Sequence, residues 1–265
     1  MARQFDIRRQ TGFTPIAIAC FVALYAPILV LVIFSFSAAE NVSVWSGFTL
    51  EWYRKAAQNQ QVIDATLLSV KIAVSSAVFA TAAATFAALA TTRTDGYPGM
   101  TAKYAFINLP LMVPEIVTAV ALLILTARIK IWTGYSGIGY LIAAHAAFCI
   151  PFAYLPIRAR LESMDLTLER AAADLYATPL KVFRHITLPL LWPGIIAGFM
   201  LAFVISLDDV VITNFVKSGG QDTLPTYMLG QIRRSITPEI NAISTVFLGI
   251  SILIVTVFFF ITKKR

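Results

Sequence analysis

The chain has 265 residues with 21 Lys and Arg against 14 Asp and Glu, a formal charge of +7, yet only 13% of its residues are charged and 58% are hydrophobic. With a mean hydropathy of +0.77, this composition excludes a soluble domain of this size and marks an integral membrane protein. No aromatic-basic RNA or DNA motif accompanies the positive charge, so nucleic acid is excluded as a partner and the lipid bilayer takes its place.

Crossing a hydrocarbon core of about 30 Å takes about 20 helical residues. Charge-poor windows at 13–37, 66–92, 104–127, 137–158, 188–208 and 240–262 meet that length. Their apolar runs are continuous and lack the alternation of barrel strands, so they read as helices. The expected fold class is an all-α integral membrane protein of six transmembrane helices, forming one domain over 1–265. A polar loop at 159–187 separates the fourth and fifth spans.

The first window follows Arg3, Arg8 and Arg9. Its apolar run is too long for a signal-peptide core and no short run with a small-residue cleavage site follows, so it reads as a retained helix that also directs insertion. Cys20 and Cys149 lie within spans as packing residues, and neither a disulfide framework nor a metal site is indicated. In the second window Ala80, Ala84 and Ala88 recur at one-turn spacing, which lets another backbone approach closely.

The third window carries Glu115 between Pro114 and Ile116. An ionisable group inside a bilayer is a functional candidate by default, and Pro110 and Pro114 would disturb the helix and free carbonyls where a cavity can use them. The other reading is a carboxylate satisfied by a neighbouring helix or held protonated by burial. Trp132 and Tyr135 follow on the outer side, as interfacial anchors or as aromatic faces of a path. The glycines of Gly134-Tyr135-Ser136-Gly137-Ile138-Gly139 fit a flexible turn better than a phosphate loop. His145, mid-span in the fourth window, reads as a hydrogen-bonded packing residue.

The loop after the fourth span is the most informative stretch. Leu168, Ala171, Ala172, Leu175 and Tyr176 fall on one helical face, with Glu169, Arg170, Ala173 and Asp174 on the other. Thr167 is placed to cap this helix, with Glu169 in its first turn, and Thr178-Pro179 to start a second one. Val182, Phe183 and Ile186 give the second helix an apolar side, and Lys181, Arg184 and His185 suit a cytoplasmic headgroup surface. Such a helix pair belongs in a partner's groove.

The fifth span opens at Leu188-Pro189 and carries Gly194-x-x-x-Gly198, a close-approach signal for a neighbour in this chain or in a second subunit. It closes on Ser206-Leu207-Asp208-Asp209-Val210-Val211-Ile212-Thr213. Two carboxylates there would attract cations or serve as helix caps. Tyr227 is a further aromatic candidate. An N-in, C-in arrangement puts thirteen of the 21 basic residues inside (Arg3, Arg8, Arg9, Arg93, Lys103, Arg158, Arg160, Arg170, Lys181, Arg184, Lys263, Lys264 and Arg265) and eight outside.

Glu169-x-Ala171-Ala172 followed by Ile186-x-Leu188-Pro189 resembles the "EAA" coupling loop of bacterial ABC importer permeases, and the six-span plan extends the resemblance over nearly the whole chain. It implies that Glu169, Ala171, Ala172, Asp174, Leu175, Tyr176, Leu188 and Pro189 dock on an ATP-hydrolysing subunit in the cytoplasm. The sequence departs from the pattern at Tyr176, where glycine is usual and allows the turn between the helices. Ser206-x-Asp208-Asp209-x-x-x-Thr213, Thr223-Leu224-Pro225, Thr237-Pro238-Glu239-Ile240-Asn241-Ala242 and Val113-Pro114-Glu115-Ile116-Val117 resemble the subset that imports spermidine and putrescine.

The resemblance implies a bacterial inner-membrane location, a second permease subunit, two ATPase subunits that bind ATP and Mg, a periplasmic binding protein and a polyamine cargo. Glu115, Asp208 and Asp209 would then be separated carboxylates on the substrate path, with Trp132, Tyr135 and Tyr227 as aromatic faces between them. The chain has no G-x-x-x-x-G-K-[ST] phosphate loop, no nucleophile-base constellation and no metal cluster, so it is expected to be neither an enzyme nor a binder of its own cofactor. The alternatives are the same architecture importing an amino-acid derivative, a sugar phosphate or chelated iron; a proton-driven secondary transporter using Glu115; and a structural membrane protein. Internal repeats, which would favour the secondary transporter, are not found.

Overall fold

The computed structural model describes residues 13–42, 44–93, 99–234 and 237–263. Arg3, Arg8, Arg9, Lys264 and Arg265, which entered the topology count, lie outside them. The described residues are helical apart from short connections and one isolated bridge between Ser37 and Phe48. The helices are α1 (Phe13–Phe34), α2 (Glu51–Gln58), α3 (Gln60–Thr92), α4 (Met100–Met112), α5 (Glu115–Thr133), α6 (Gly139–Ser163), α7 (Thr167–Asp174), α8 (Pro179–Val182), α9 (Leu188–Asp208), α10 (Val211–Val216), α11 (Leu224–Arg234) and α12 (Pro238–Lys263). A π-helical turn, Phe183–Thr187, joins α8 to α9.

Six helical stretches among the described residues are long and apolar enough to cross a membrane: Phe13–Phe34, Gln60–Thr92, Glu115–Thr133, Gly139–Ser163, Pro179–Asp208 and Pro238–Phe260. Helix α1 has no buried residue along its length. A helix that is apolar all round and uncovered by its own chain is built to face lipid or another subunit.

The chain packs as two compact units, one of residues up to Gln60 with Gly230–Ile250, the other of Gln61–Leu229 with Ser251 onward. In the first, the segment after α1 folds back on α2. Phe36 stacks on Phe48 at 5.6 Å and meets Tyr53 at 5.1 Å. The Trp52 indole N–H donates to the Ser37 carbonyl at 2.9 Å, and Ser35 and Tyr53 share a hydroxyl bond of 2.6 Å. Asn59 donates its amide to Glu239 in the first turn of α12 at 3.0 Å.

The second unit is organised on α3, α6 and α9. The glycines of α9 face α6 within this chain, which decides between the two readings left open by the sequence. A methyl group at Gly194 would sit 2.7 Å from Cβ of Arg160, and one at Gly198 would sit 2.8 Å from the Ala153 carbonyl oxygen and 2.9 Å from Ile157. Such contacts exist only because both positions lack a Cβ. Ala80, Ala84 and Ala88 of α3 are fully buried, on the helix face bounded by Ser76 and Thr91. Ser76 donates to the Ile142 carbonyl of α6 at 3.0 Å, and Thr91 shares a 2.9 Å hydroxyl bond with Tyr154 of α6. These two bonds tie α3 to α6 on either side of the alanine stripe.

The stretch expected as one span over 104–127 is interrupted. Val113 and Pro114 are extended, with ψ of 137° and 134°, and separate α4 from α5. Pro114 has no N–H to donate, and its ring pushes the preceding residue out of the helical region. Pro110 is accommodated inside α4.

The α6–α9 contact generates a stability prediction. Gly198→Ala forces a methyl group against the backbone oxygen of Ala153 and should cost about 1–3 kcal/mol. Gly249→Ala, where a methyl group meets nothing within 4 Å, should leave stability unchanged. Thermal melts of the two variants in one detergent compare them directly.

Candidate functional site

Two helix breaks meet inside the second unit. Helix α9 ends at Asp208, Asp209 is extended with ψ of 131°, and α10 starts two residues on. The Asp209 carboxylate caps α10. Its Oδ1 accepts the Ile212 N–H at 3.2 Å, and its Oδ2 accepts the Thr213 N–H and hydroxyl, both at 2.8 Å. Asp209 is buried, and a buried carboxylate persists only when it is fully hydrogen-bonded. The capping reading of the acidic pair therefore describes Asp209, whereas Asp208 is exposed on this chain.

His145 of α6 completes the network. Its Nδ1 is 2.8 Å from the Ser206 hydroxyl, and its Nε2 is 3.0 Å from the Thr213 hydroxyl and 3.4 Å from Asp209 Oδ2. The ring is 1% exposed. One imidazole thus holds the end of α9, the break and the start of α10 together. The sequence reading of a hydrogen-bonded packing residue describes its contacts but did not connect it to the acidic pair 63 residues later, because nothing local to His145 announces that partner.

The other break brings Glu115 to the same place. Glu115 is the first residue of α5, and its carboxyl is near enough to Asp209 for the two groups to interact electrostatically while it remains exposed on this chain. Helix α10 packs along α5, and Lys130 fastens the far end by donating to the Val216 carbonyl at 3.0 Å and the Ser218 hydroxyl at 3.1 Å. The C-terminal ends of α4 and α9 both finish within three residues of these carboxylates. Helix C-termini carry partial negative charge, so the junction of carboxylates and carbonyl ends favours a cation.

The aromatic candidates are placed elsewhere. Trp132, in the last turn of α5, and Tyr135, just past its end, lie 17 and 20 residues from Glu115, which is about 26 Å along the helix for Trp132. Trp132 is 94% exposed, and Tyr135 packs against Tyr140 with ring centres 5.4 Å apart. Tyr227 is half-buried on α11, whose start is fixed by the Leu224 N–H donating to Ser69 at 2.7 Å. Carboxylates and aromatics do not alternate; the carboxylates are clustered.

At the other end of α9, the loop forms the two short helices expected. Asp165 caps α7 in place of Thr167, accepting the Thr167 N–H at 2.9 Å and its hydroxyl at 2.6 Å. These bonds hold the Asp165 carboxyl below the usual carboxylate range. The cap therefore stays intact through that range and is lost only as the pH falls below it. Pro179 opens α8 as expected.

Helix α7 closes by a Schellman arrangement. The Ala177 N–H reaches the Ala172 carbonyl at 3.1 Å, the Tyr176 N–H reaches Ala173 at 2.9 Å, and Tyr176 sits in the left-handed region with φ of 58°. The turn is thus the one glycine would make, formed here by tyrosine. Leu168, Ala171, Leu175 and Tyr176 point outward, Leu175 and Tyr176 being 82% and 96% exposed, and Ala172 is half-buried. Asp174 is exposed at the end of α7, and Leu188 and Pro189 open α9. Glu169 turns the opposite way, toward its own chain: its Oε1 accepts the Thr187 hydroxyl at 2.9 Å, and its Oε2 is 3.4 Å from Arg93 at the end of α3.

Six span-length helices, a charged junction at two helix breaks and an outward-facing apolar helix pair between the fourth and fifth spans define a multi-pass membrane transport subunit. Residues 101–264 match the family described as binding-protein-dependent transport system inner membrane component. The putrescine transport system permease protein PotI of Escherichia coli K12 is 39% identical over 232 residues, covering 86% of this chain and 83% of that protein. The spermidine/putrescine transport system permease protein PotC of Haemophilus influenzae is 35% identical over 242 residues, covering 91% and 93%. Among solved structures, a bacterial ABC transporter involved in the import of the acidic polysaccharide alginate superposes with a TM-score of 0.75 at 16% identity, covering 95% of this chain and 93% of that one. The chain belongs to the binding-protein-dependent inner-membrane permease family. It is an ABC-importer permease subunit of the inner membrane, one component of a multi-subunit import system.

Two substitutions probe this geometry. His145→Leu leaves the buried Asp209 carboxylate and the Ser206 and Thr213 hydroxyls short of a partner, and should destabilise the protein by about 1–3 kcal/mol in detergent denaturation. At the loop turn, Tyr176→Gly should leave the melting temperature unchanged or higher. Tyr176→Val, a β-branched residue forced to positive φ, should lower it.

Proposed function

We propose that this chain is one of two different permease subunits of an ATP-driven polyamine importer taking spermidine and putrescine. It lies N-in and C-in, with the α7–α8 pair in the cytoplasm. Two ATPase subunits holding ATP and Mg dock on that pair, and a periplasmic binding protein delivers the cargo. The observation that carries the cargo assignment is the junction of Glu115 with Asp209, beside Asp208 and two helix C-termini. Neighbouring carboxylates disfavour each other's charge unless a proton or a cation lies between them, and an ammonium group on an apolar chain supplies that cation. The relatives named for putrescine and spermidine transport support the same chemistry.

The mechanism is alternating access. Closure of the ATPase pair moves the α7–α8 helices, the spans turn the carboxylate junction toward the periplasm, and the binding protein releases its cargo there. Hydrolysis returns the path to the cytoplasmic side. Trp132 and Tyr135, distant from the junction and exposed, serve the outer mouth of the path or anchor it at the interface. Tyr227 lines the path between the outer mouth and the junction.

The test is uptake of labelled putrescine and spermidine by cells lacking their own polyamine importers, with the whole system present and with this chain omitted. Uptake should require the chain. Glu115→Gln and Asp208→Asn, both on exposed side chains, should lower it roughly ten- to hundredfold, the loss of one charge-assisted contact of about 1.5–3 kcal/mol. Undiminished uptake in both variants, or no polyamine uptake by an inserted complex, would discard the polyamine reading and leave the family assignment standing.

A further inference from the structure

We infer that Arg93 is the positioning residue through which movement of α7 reaches the spans, acting on the Glu169 carboxylate. The inference rests on the proposed docking of the α7–α8 pair on an ATPase. Among the described residues, two polar contacts connect α7 to the transmembrane helices, and both end on Glu169. Oε1 takes the hydroxyl of Thr187, and Oε2 faces the guanidinium of Arg93. The remainder of α7 is a short helix of eight residues whose apolar side points away from the chain.

The two anchors are well chosen for transmission. Thr187 is buried and is the last residue of the π turn that feeds α9, so a pull on it acts at the point where the helical register is already widened. Arg93 directly follows α3, to whose last turn its N–H is bonded, and that turn is tied to α6 and α4: Thr91 shares its hydroxyl bond with Tyr154, and Tyr104 donates to the Thr91 carbonyl at 2.7 Å. One carboxylate therefore touches the ends of two helices that are themselves fastened to the rest of the unit.

The pair is also unfinished. Arg93 and Glu169 side chains are each 18% exposed, at the wall of a cleft of about 530 Å³ that also includes Leu166 and Phe183. Nε and Nη2 of Arg93 are buried and make no hydrogen bond among the described residues. A guanidinium with two unused donors beside a carboxylate oxygen at 3.4 Å has a closer, two-pronged arrangement available to it. The arrangement described is the loose one, and the tight one requires α7 to approach α3. A contact with two geometries that differ by a small displacement of α7 is what transmits a docking movement rather than absorbing it.

The experiment uses the complete transporter, reconstituted with its partner permease, ATPase and binding protein. It measures polyamine imported and ATP hydrolysed per unit time, with co-purification of the ATPase as the measure of assembly. Arg93→Gln should lower import at least tenfold and raise the ATP consumed per polyamine, while the ATPase still co-purifies. Arg93→Lys, which keeps charge without the fork, should fall between it and the unaltered chain. The double variant Arg93→Gln with Glu169→Gln should be no worse than the poorer single variant, and the exchange Arg93→Glu with Glu169→Arg should recover at least a third of the import.

Import by Arg93→Gln at the unaltered level, or losses that multiply in the double variant, would overturn the inference. If Arg93→Gln does not insert, the exchanged chain decides: restored import supports the link, and an inserted but inactive complex rejects it. Failure of the docking reading itself looks different, since Glu169→Gln would then also leave import and ATPase association untouched.

Discussion

The structure depends on how closely α9 lies against α6. The missing side chains at Gly194 and Gly198 let α9 approach until Arg160, Ala153 and Ile157 are in direct contact with its backbone. Both polar sites follow from that approach. At one end His145 reaches Ser206, Thr213 and Asp209 only because α6 and α9 are this near. At the other the Arg160 guanidinium donates to the Leu190 carbonyl at 2.9 Å and fixes the start of α9. Without a hydrophobic driving force between helices in lipid, such packing and the hydrogen bonds it permits supply the association.

Within that frame the helix breaks are costly and locally compensated. A span interrupted in hydrocarbon frees N–H and C=O groups that have no water to meet. At the α9–α10 break the Asp209 carboxylate takes two of the freed N–H groups and the imidazole of His145 stands beside it. At the α4–α5 break Pro114 removes one donor outright, and Glu115 places negative charge at the N-terminus of α5, where the helix dipole favours it. The Asp209 carboxylate is thus committed to structure, whereas Glu115 and Asp208 retain exposed carboxyls. On the proposed function, that division gives the two members of an adjacent acidic pair different tasks.

Much of this was legible in the sequence, and the limits have physical causes. The six spans are visible because length and apolarity are local properties, and the two loop helices are visible because Pro179 and the apolar stripe are local signals. The break at Pro114 was foreshadowed by its prolines, although the sequence alone ran one span across it. What could not be read were pairings over long separations: His145 with Asp209, Glu169 with Arg93, and the glycines of α9 with α6. Each is made by side chains whose partners lie tens of residues away, and no spacing rule connects them. In the sequence Arg93 shows only as one more basic residue beyond the end of a span, and Asp165 does not stand out as a cap because Thr167 is nearer the start of the helix.

Tyr176 shows how a departure from a family pattern can leave geometry intact. The loop needs a left-handed residue to close α7 in a Schellman turn, and the backbone adopts it at φ of 58° although the residue carries a large side chain. A non-glycine residue there pays roughly 1–2 kcal/mol, and at 96% exposure the ring recovers none of it by packing within this chain. Helix propensity cannot supply the difference, since the position is outside the helix. The turn is held instead by its two backbone bonds to Ala172 and Ala173 and by the fixed start of α8 at Pro179. The strain sits on the outward face of the α7–α8 pair, beside Leu175. On the proposed docking, that is the place where a partner's surface can repay the cost by covering the ring.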